Sequence, residues 1–260
     1  MENRETRSIY NAMLAAEREG AELILHAGKI LTQEKSCHRD VVTEFDKKVQ
    51  ELIVKRLREV VPEARFFCEE NSVQEDLHAE HVFVIDPIDG TMNFVKGFHL
   101  SCTSIGYLHN GVLTAAAIYD PYGDEMFSAI KGEGAWLNGE AIHTAETPLN
   151  ENVVCYGSSP YYPERTDDTF RFARIAYDAS LDLRRTGSAA IDLAYTAAGR
   201  AGFFFEMMLS FWDYAAGALI VEEAGGKCYA ADGSPLPLDG RKSSVLAGGR
   251  QAYDDFVKLI

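Results

Sequence analysis

Apolar side chains at Ile9, Met13, Ala16, Leu23, Ile24, Ala27, Ile30 and Leu31 recur at helical spacing with acids and arginines between them. They predict a long amphipathic helix from Arg4 to Leu31, with a bend near Gly20. A second stripe, Phe45, Val49, Leu52, Ile53, Leu57 and Val60, predicts another helix, opened by the capping signature Thr43-Glu44-Phe45-Asp46 and ended by Pro62. The period then changes. Phe66-Phe67-Cys68 and Val82 to Ile85 are short apolar runs between turn-formers and read as buried strands. Ser101 to Leu108, Gly111 to Tyr119, Glu125 to Ile130 and Ala135-Trp136-Leu137 follow, separated by turns at His109-Asn110-Gly111, Asp120-Pro121-Tyr122-Gly123 and Asn138-Gly139. Strands in succession without a helix predict an antiparallel meander, with Trp136 and the other aromatics in its core.

A second half opens near Asn152 with the strand Val153 to Tyr156, a helix from Asp168 to Asp178 and the extended stretch Leu181-Asp182-Leu183. Gly187-Ser188 then starts a helix carrying Ile191, Ala194, Tyr195 and Ala198, closed by Gly199. The strand Gly202 to Phe205 ends in Glu206, the helix Trp212 to Glu223 stops at Gly225-Gly226, and a strand from Ser244 to Ala247 precedes a last short helix. No repeat or low-complexity segment interrupts the pattern, so residues 1–150 and 151–260 are expected to be two halves of one compact unit.

Composition narrows the classes. With 47% apolar and 25% charged residues, the 260-residue chain reads as a soluble globule able to bury a sizeable core. Forty acids against 25 bases give a formal charge of −15, which argues against nucleic-acid polymers and anionic membranes as partners. Cys37, Cys68, Cys102, Cys155 and Cys228 are scattered and form no C-x-x-C, and there is no His-Glu-x-x-His. Neither a zinc site nor a disulfide framework is therefore expected, and buried thiols in a reducing cytoplasm fit better. The charged start Met1-Glu2-Asn3-Arg4-Glu5 does not read as a signal peptide, and no apolar run approaches the roughly 18 residues of a membrane span. A cytoplasmic protein is expected.

The chemistry concentrates at Asp86-Pro87-Ile88-Asp89-Gly90-Thr91, where the strand Val82 to Ile85 delivers two carboxylates into a turn stiffened by Pro87. Acids three residues apart repel unless a cation sits between them, and hard oxygen ligands suit magnesium or manganese. Gly90 admits close approach, and Gly90-Thr91 can open a helical turn whose N–H groups face an anion. Metal beside anion means phosphate chemistry, although Asp-Pro and Asp-Gly pairs also make ordinary turns. Other candidates carry two readings each. Asp46 and Asp213, the latter with Ser210 in front, serve as first-turn helix acids. Glu69-Glu70 point to opposite faces, so one can reach a metal while its neighbour supports it. Ser188 is either an N-cap or a contact for a polyol or phosphate edge. Lys131-Gly132-Glu133-Gly134 lacks the G-K-[ST] ending of a phosphate loop and reads as a hairpin bend, while His78 and His81 read as surface residues.

Taken together, Asp86-Pro-Ile-Asp-Gly-Thr-Met-Asn93-Phe94, Glu69-Glu70 upstream and Trp212-Asp213 downstream resemble the inositol monophosphatase family of magnesium-dependent, lithium-sensitive phosphatases, over nearly the whole chain. The resemblance implies an α/β fold, a layered αβαβα sandwich, and a homodimer. It implies two or three Mg2+ ions, with Mn2+ as a substitute: Glu69, Asp86 and the Ile88 carbonyl around one, and Asp86, Asp89 and Asp213 around another. Asp40, Val42, Thr43 and Asp46 match the family's D-x-V-T-x-x-D string, which gives Asp46 a hydrogen bond to Thr91 in a water-activating network. By the same resemblance Glu70 supports Glu69, and Lys35 lies on a mobile loop near the third ion. Ser188 and Ala189, in a G-[ST]-A string, lie near the substrate; Asp213 approaches a substrate hydroxyl, and Glu206 faces the inositol ring. The implied reaction is in-line attack by an activated water, with Thr91, Asp46 and Glu69 around it and phosphate on the Gly90 and Thr91 N–H groups, without a phosphoenzyme. Inositol 1-phosphate or a related polyol or sugar phosphate is the expected substrate. Fructose-1,6-bisphosphatase, NADP phosphatase and 3′(2′),5′-bisphosphate nucleotidase activities are the rivals, and a metal- and phosphate-binding regulatory module is the non-enzymatic alternative.

Overall fold

A computed structural model describes residues 2–28, 30–35, 41–71 and 76–260. Cys37 and Asp40 lie outside the described residues. Helix α1 runs over Glu2–Leu25, strands β1 (Thr32–Glu34) and β2 (Val41–Thr43) pair antiparallel, and α2 covers Glu44–Val60. The first helix therefore stops short of Leu31, because β1 takes the following backbone into a ladder. It also continues through Gly20. A Cβ there would lie 3.2 Å from a Val49 methyl, so the glycine serves close packing of α1 on α2.

Next come β3 (Arg65–Cys68), β4 (His81–Asp89), the short α3 (Thr91–Lys96), β5 (Cys102–His109), β6 (Val112–Asp120), β7 (Glu125–Ile130), β8 (Gly134–Leu137) and β9 (Glu140–Ala141). These strands form one sheet in chain order, with β3 parallel to β4 and the rest antiparallel, as the meander pattern predicts. Asn110-Gly111 and Asn138-Gly139 both take positive φ, the backbone that two-residue hairpins require. Lys131-Gly132-Glu133-Gly134 is a bend whose Gly132 and Gly134 N–H groups donate to the Glu223 carboxylate at 2.8 and 3.0 Å. Trp136 is only half-buried, on an outer strand against the edge of Tyr10.

The second sheet contains β10 (Val153–Tyr156), β11 (Asp182–Arg184), β12 (Phe203–Leu209), β13 (Lys227–Tyr229) and β14 (Ser243–Gly248), in the order β11-β10-β12-β14-β13. Helices α4 (Thr166–Ala179), α5 (Ala189–Ala197) and α6 (Phe211–Glu223) lie between these strands in sequence, and α7 (Arg250–Val257) follows the last of them. Three apolar clusters fix the layers. Ile9, Met13, Val49 and Ile53 pack on Phe83, Ile85 and Ile105; Leu193, Ala194 and Leu219 lie between Val82, Val84 and Ile118 on one side and Phe204 and Ala247 on the other; Phe172 and Phe256 cover Phe203 and Phe205. The order is helix, sheet, helix, sheet, helix: an αβαβα sandwich. Four of the five cysteines are described and all four are buried thiols. Among the described residues no helix is long and apolar enough to cross a membrane.

Strand β4 explains where the site falls. Val82 and Val84 enter one core layer and Phe83 and Ile85 another, so the strand is buried on both faces and reads as a continuous apolar run. Its ladder with β5 shifts register between Asp86 and Asp89. Pro87 has no N–H to give the ladder, and the resulting irregularity turns the two carboxylates out of the sheet. His81, expected on the surface, begins this strand and is buried, because the ladder carries it beneath neighbouring rings.

Candidate active site

The ends of β3, β4 and β12 and the starts of α3, α5 and α6 meet around a cleft of ≈ 430 Å³. Glu69, Asp86, Ile88, Asp89, Gly90, Thr91, Ser188, Ala189, Glu206 and Asp213 all line it, although they come from five separated parts of the chain. Carboxylate oxygens of Asp86, Asp89 and Asp213 lie within 4.8 Å of one another.

The acids that read as helix caps divide their two oxygens between tasks. One oxygen of Asp46 closes the α2 capping box by accepting from Thr43 N–H at 2.7 Å, and the other accepts from the Thr91 hydroxyl at 3.2 Å. The Thr91 hydroxyl also lies 3.1 Å from the Ile88 carbonyl. Asp213 likewise takes Ser210 N–H on Oδ2 at 2.7 Å at the start of α6. Capping holds these carboxylates rigidly; Asp213 lines the cleft, whereas Asp46 lies behind it and reaches it through Thr91.

Asp89 is held by the Ser188 hydroxyl and by Ala190 N–H, the latter at 2.7 Å. Ser188 also caps α5 through Ile191 N–H at 3.2 Å, so its hydroxyl is engaged in positioning Asp89. Glu206 Oε1 accepts from Ser159 N–H at 2.8 Å and from the Ser159 hydroxyl at 3.2 Å. Its carboxylate lies against Gly157, where a Cβ would come within 1.8 Å of Oε2.

Electrostatically, the site is short of positive charge. Burial raises Asp86 well above the usual carboxylate range, and Glu69, Asp89 and Asp213 raise it further. Burial, then Asp89 and Glu69, does the same for Asp213. Burial lifts Asp89 to about 6 against its hydrogen bonds. Glu206 rises to about 7 and Glu70 to about 7, burial being the main cause in both. Burial also raises Asp46 and Glu69. Lys35 donates to Glu69 at 2.9 Å and also to Glu70; burial works against its charge, but these carboxylates more than offset that. Among the described residues no lysine or arginine pairs with Asp86, Asp89 or Asp213. Buried, mutually repelling carboxylates with unspent oxygens are the donor set of a hard divalent cation, so these residues fit one.

Arg185 and Asp192 had no role in the sequence reading, and Asn93 entered it only as part of the family motif. Asn93 Nδ2 donates to Leu100 O at 2.7 Å and Thr186 O at 2.9 Å, tying the turn of β4 to the loop before α5. Arg185, at the cleft wall, donates to Ser158 at 3.1 Å and is the cationic side chain among the lining residues. The pair Arg184-Arg185 just ahead of Gly187-Ser188 was the available signal. Asp192 is buried beneath them, with its pKa raised well up by burial.

Gly90 has φ of 82°, and a Cβ there would lie 2.9 Å from the Leu100 carbonyl. Gly90→Ala is therefore expected to destabilise the fold by about 1–3 kcal/mol, or roughly 2–10 °C in thermal unfolding, with activity falling alongside. An unchanged melting temperature would show that this turn is not strained by a side chain.

A model of the inositol monophosphatase family matches residues 5–260. The protein named Nus factor SuhB of Xylella fastidiosa is 36% identical over 231 residues, 87% of this chain and 83% of that one. The fructose-1,6-bisphosphatase/inositol-1-monophosphatase of Thermotoga maritima is 33% identical, over 92% of this chain and 90% of its own. A crystal structure of the extragenic suppressor protein SuhB from Bartonella henselae has a TM-score of 0.90 at 29% identity, covering 97% of this chain and 98% of the other.

Proposed function

The chain belongs to the inositol monophosphatase family, and from that membership we propose that it is a magnesium-dependent phosphomonoesterase acting on inositol 1-phosphate or a related small polyol or sugar phosphate. The observation that carries this reading is the placement of Glu206, a buried carboxylate aimed into the same cleft as Asp86, Asp89 and Asp213. A carboxylate away from the cation cluster repels a second phosphate and accepts hydrogen bonds from hydroxyls, which favours a polyol over a nucleotide.

In this reading Glu69, Asp86, Asp89, Asp213 and the Ile88 carbonyl hold the magnesium. Bound there, magnesium supplies charge neutralisation at the phosphate and lowers the pKa of a coordinated water. The chain's own residues do the rest. Thr91 and Asp46 form a hydrogen-bonded pair that orients an attacking water, with Glu69 beside it. Backbone N–H groups at Gly90 and Thr91, at the start of α3, hold phosphate oxygens, with the Gly90 N–H also reaching the Asp89 carboxylate. Ser188 and Ala190 fix Asp89, and Ala189 lines the cleft beside them.

A substrate panel tests the proposal: inositol 1-phosphate, glycerol 2-phosphate, fructose 1,6-bisphosphate, NADP, a 3′,5′-bisphosphonucleotide and an aryl phosphate, each with and without magnesium. Glu206→Gln is expected to lower kcat/KM for inositol 1-phosphate about tenfold or more, as loss of a charged hydrogen bond does, while barely affecting the aryl phosphate. Equal losses on both would remove Glu206 from substrate recognition. The relative named Nus factor SuhB carries a second reading, a Nus-factor role in place of catalysis, and absence of turnover on the whole panel would favour it.

A further inference from the structure

At the other end of β4, roughly 17 Å along the strand from Asp86, two histidines face each other across a ladder. His81 on β4 and His109 on β5 are directly opposed partners, so their side chains leave the sheet on one face at one level. The rings stack with centroids 5.2 Å apart and 7° between their planes. Two carboxylates close over them. Glu80 Oε1 lies 3.8 Å from His81 Nε2 and 3.6 Å from His109 Nε2, and Glu63 Oε1 lies 3.7 Å from His81 Nε2. His81 is 5% exposed, and its Nδ1 is 2.7 Å from the hydroxyl of the buried Tyr107. That contact fixes the ring and leaves Nε2 turned toward the acids, the arrangement by which a metal-ligating histidine is oriented.

We propose that His81, His109, Glu80 and Glu63 form a second divalent-cation site, of the zinc type, separate from the magnesium cluster. Two imidazoles and two carboxylates are a donor set that borderline ions such as zinc or cobalt accept, whereas magnesium prefers oxygen alone. One ligand atom each from Glu80, His81 and His109 already falls within 4.8 Å of the others. Tetrahedral zinc with bonds of about 2.0–2.1 Å sets its ligands about 3.3 Å apart, so the glutamate–histidine separations of 3.6–3.8 Å need to close by only a few tenths of an ångström, while the stacked His109 ring has to turn to bring its nitrogen in. The parts that must move are free to do so. The side chains of Glu63 and Glu80 are 66% and 65% exposed, and the His109 ring, 19% exposed, can turn out of its stack to aim a lone pair at the ion. His81 stays fixed by Tyr107, so the site has one rigid ligand and three adaptable ones. No sequence motif announces it, because His81 and His109 meet only through the register of the β4–β5 ladder.

Calorimetric titration of zinc into the full-length protein, stripped of metal and then saturated with magnesium, tests the assignment. The Asp86→Asn variant is titrated in parallel to remove any contribution from the active-site cluster. One equivalent of zinc is expected to bind in both proteins. His109→Ala is expected to weaken it at least a hundredfold and to leave magnesium-dependent phosphatase activity within about twofold of wild type. Tyr107→Phe is expected to weaken zinc about 10–100-fold by loosening His81. Cobalt bound in place of zinc should show the visible absorption of a tetrahedral ion, lost in His109→Ala. Zinc uptake unchanged by His109→Ala, or abolished by Asp86→Asn, would overturn the proposal.

Discussion

Asparagine in place of Asp86 is expected to cut magnesium-dependent phosphate release about a thousandfold, a loss of about 4 kcal/mol of transition-state stabilisation, while leaving the metal-free protein at least as stable as wild type. Glu69, Asp89 and Asp213 all raise the pKa of Asp86, and the last two lie within 4.8 Å of it. It is crowded by three other acids, so on the proposed function its charge is the one whose loss a bound cation would feel most. The same crowding makes the charge a burden when no cation is present. An asparagine keeps the acceptor for Ile88 N–H, which donates to Asp86 Oδ1 at 3.1 Å, and removes the repulsion. Phosphate-release kinetics and thermal unfolding in chelator check the two halves of this result. Turnover near that of wild type would contradict the assignment of the metal cluster.

Without metal, the protein is expected to lose stability as pH rises from about 4 to about 8. Asp89 at about 6, Glu70 at about 7 and Glu206 at about 7 all have folded pKa values above those of ordinary carboxyl groups. A group shifted upward favours the folded state fully below its unfolded pKa, and that contribution disappears as pH climbs through the folded value. Glu206, moved from 4.5 to about 7, accounts for on the order of 3 kcal/mol between those limits, roughly 5–10 °C in melting temperature for a chain of this size. Self-repulsion at a formal charge of −15 acts in the same direction. Glu206→Gln separates the two, because it removes the buried titration and leaves the overall charge nearly intact. Thermal unfolding in chelator at about pH 5 and about pH 8 should show a smaller difference for this variant than for wild type. Identical differences would mean that Glu206 does not titrate within the fold. Magnesium added at the higher pH is expected to restore much of the lost stability by mass action.

What could be read in the sequence was what short-range patterning encodes. The run Val82 to Ile85 followed by Asp86-Pro87 marked a buried strand stopped by a residue without an N–H, and the caps Thr43/Asp46 and Ser210/Asp213 marked two helix starts. Those local signals located the acids; the resemblance of the combined motifs brought them into one site. What escaped depends on pairing between distant segments. β13 joins its sheet through β14, β1 forms only by pairing with β2, and His81 is buried only because β5 and Tyr107 lie beside it. Arg185 lines the cleft where the loop before α5 meets Ser158; the Arg184-Arg185 pair hinted at a cation there but not at which of the two lines the cleft. The choice at Asp46 between helix cap and partner of Thr91 had no answer in the local pattern because the structure uses one oxygen for each.

The contact between Gly157 and Glu206 ties two distant positions to a common fate. Their backbone and carboxylate share a space too small for even one more methyl group. Descendants of this chain can enlarge residue 157 only after shortening residue 206, and any lineage that did so would trade a hydroxyl-reading acid for a wall of carbon. A shift toward bulkier or less hydroxylated phosphate esters would then begin with a paired replacement, in that order, at two sites nearly fifty residues apart.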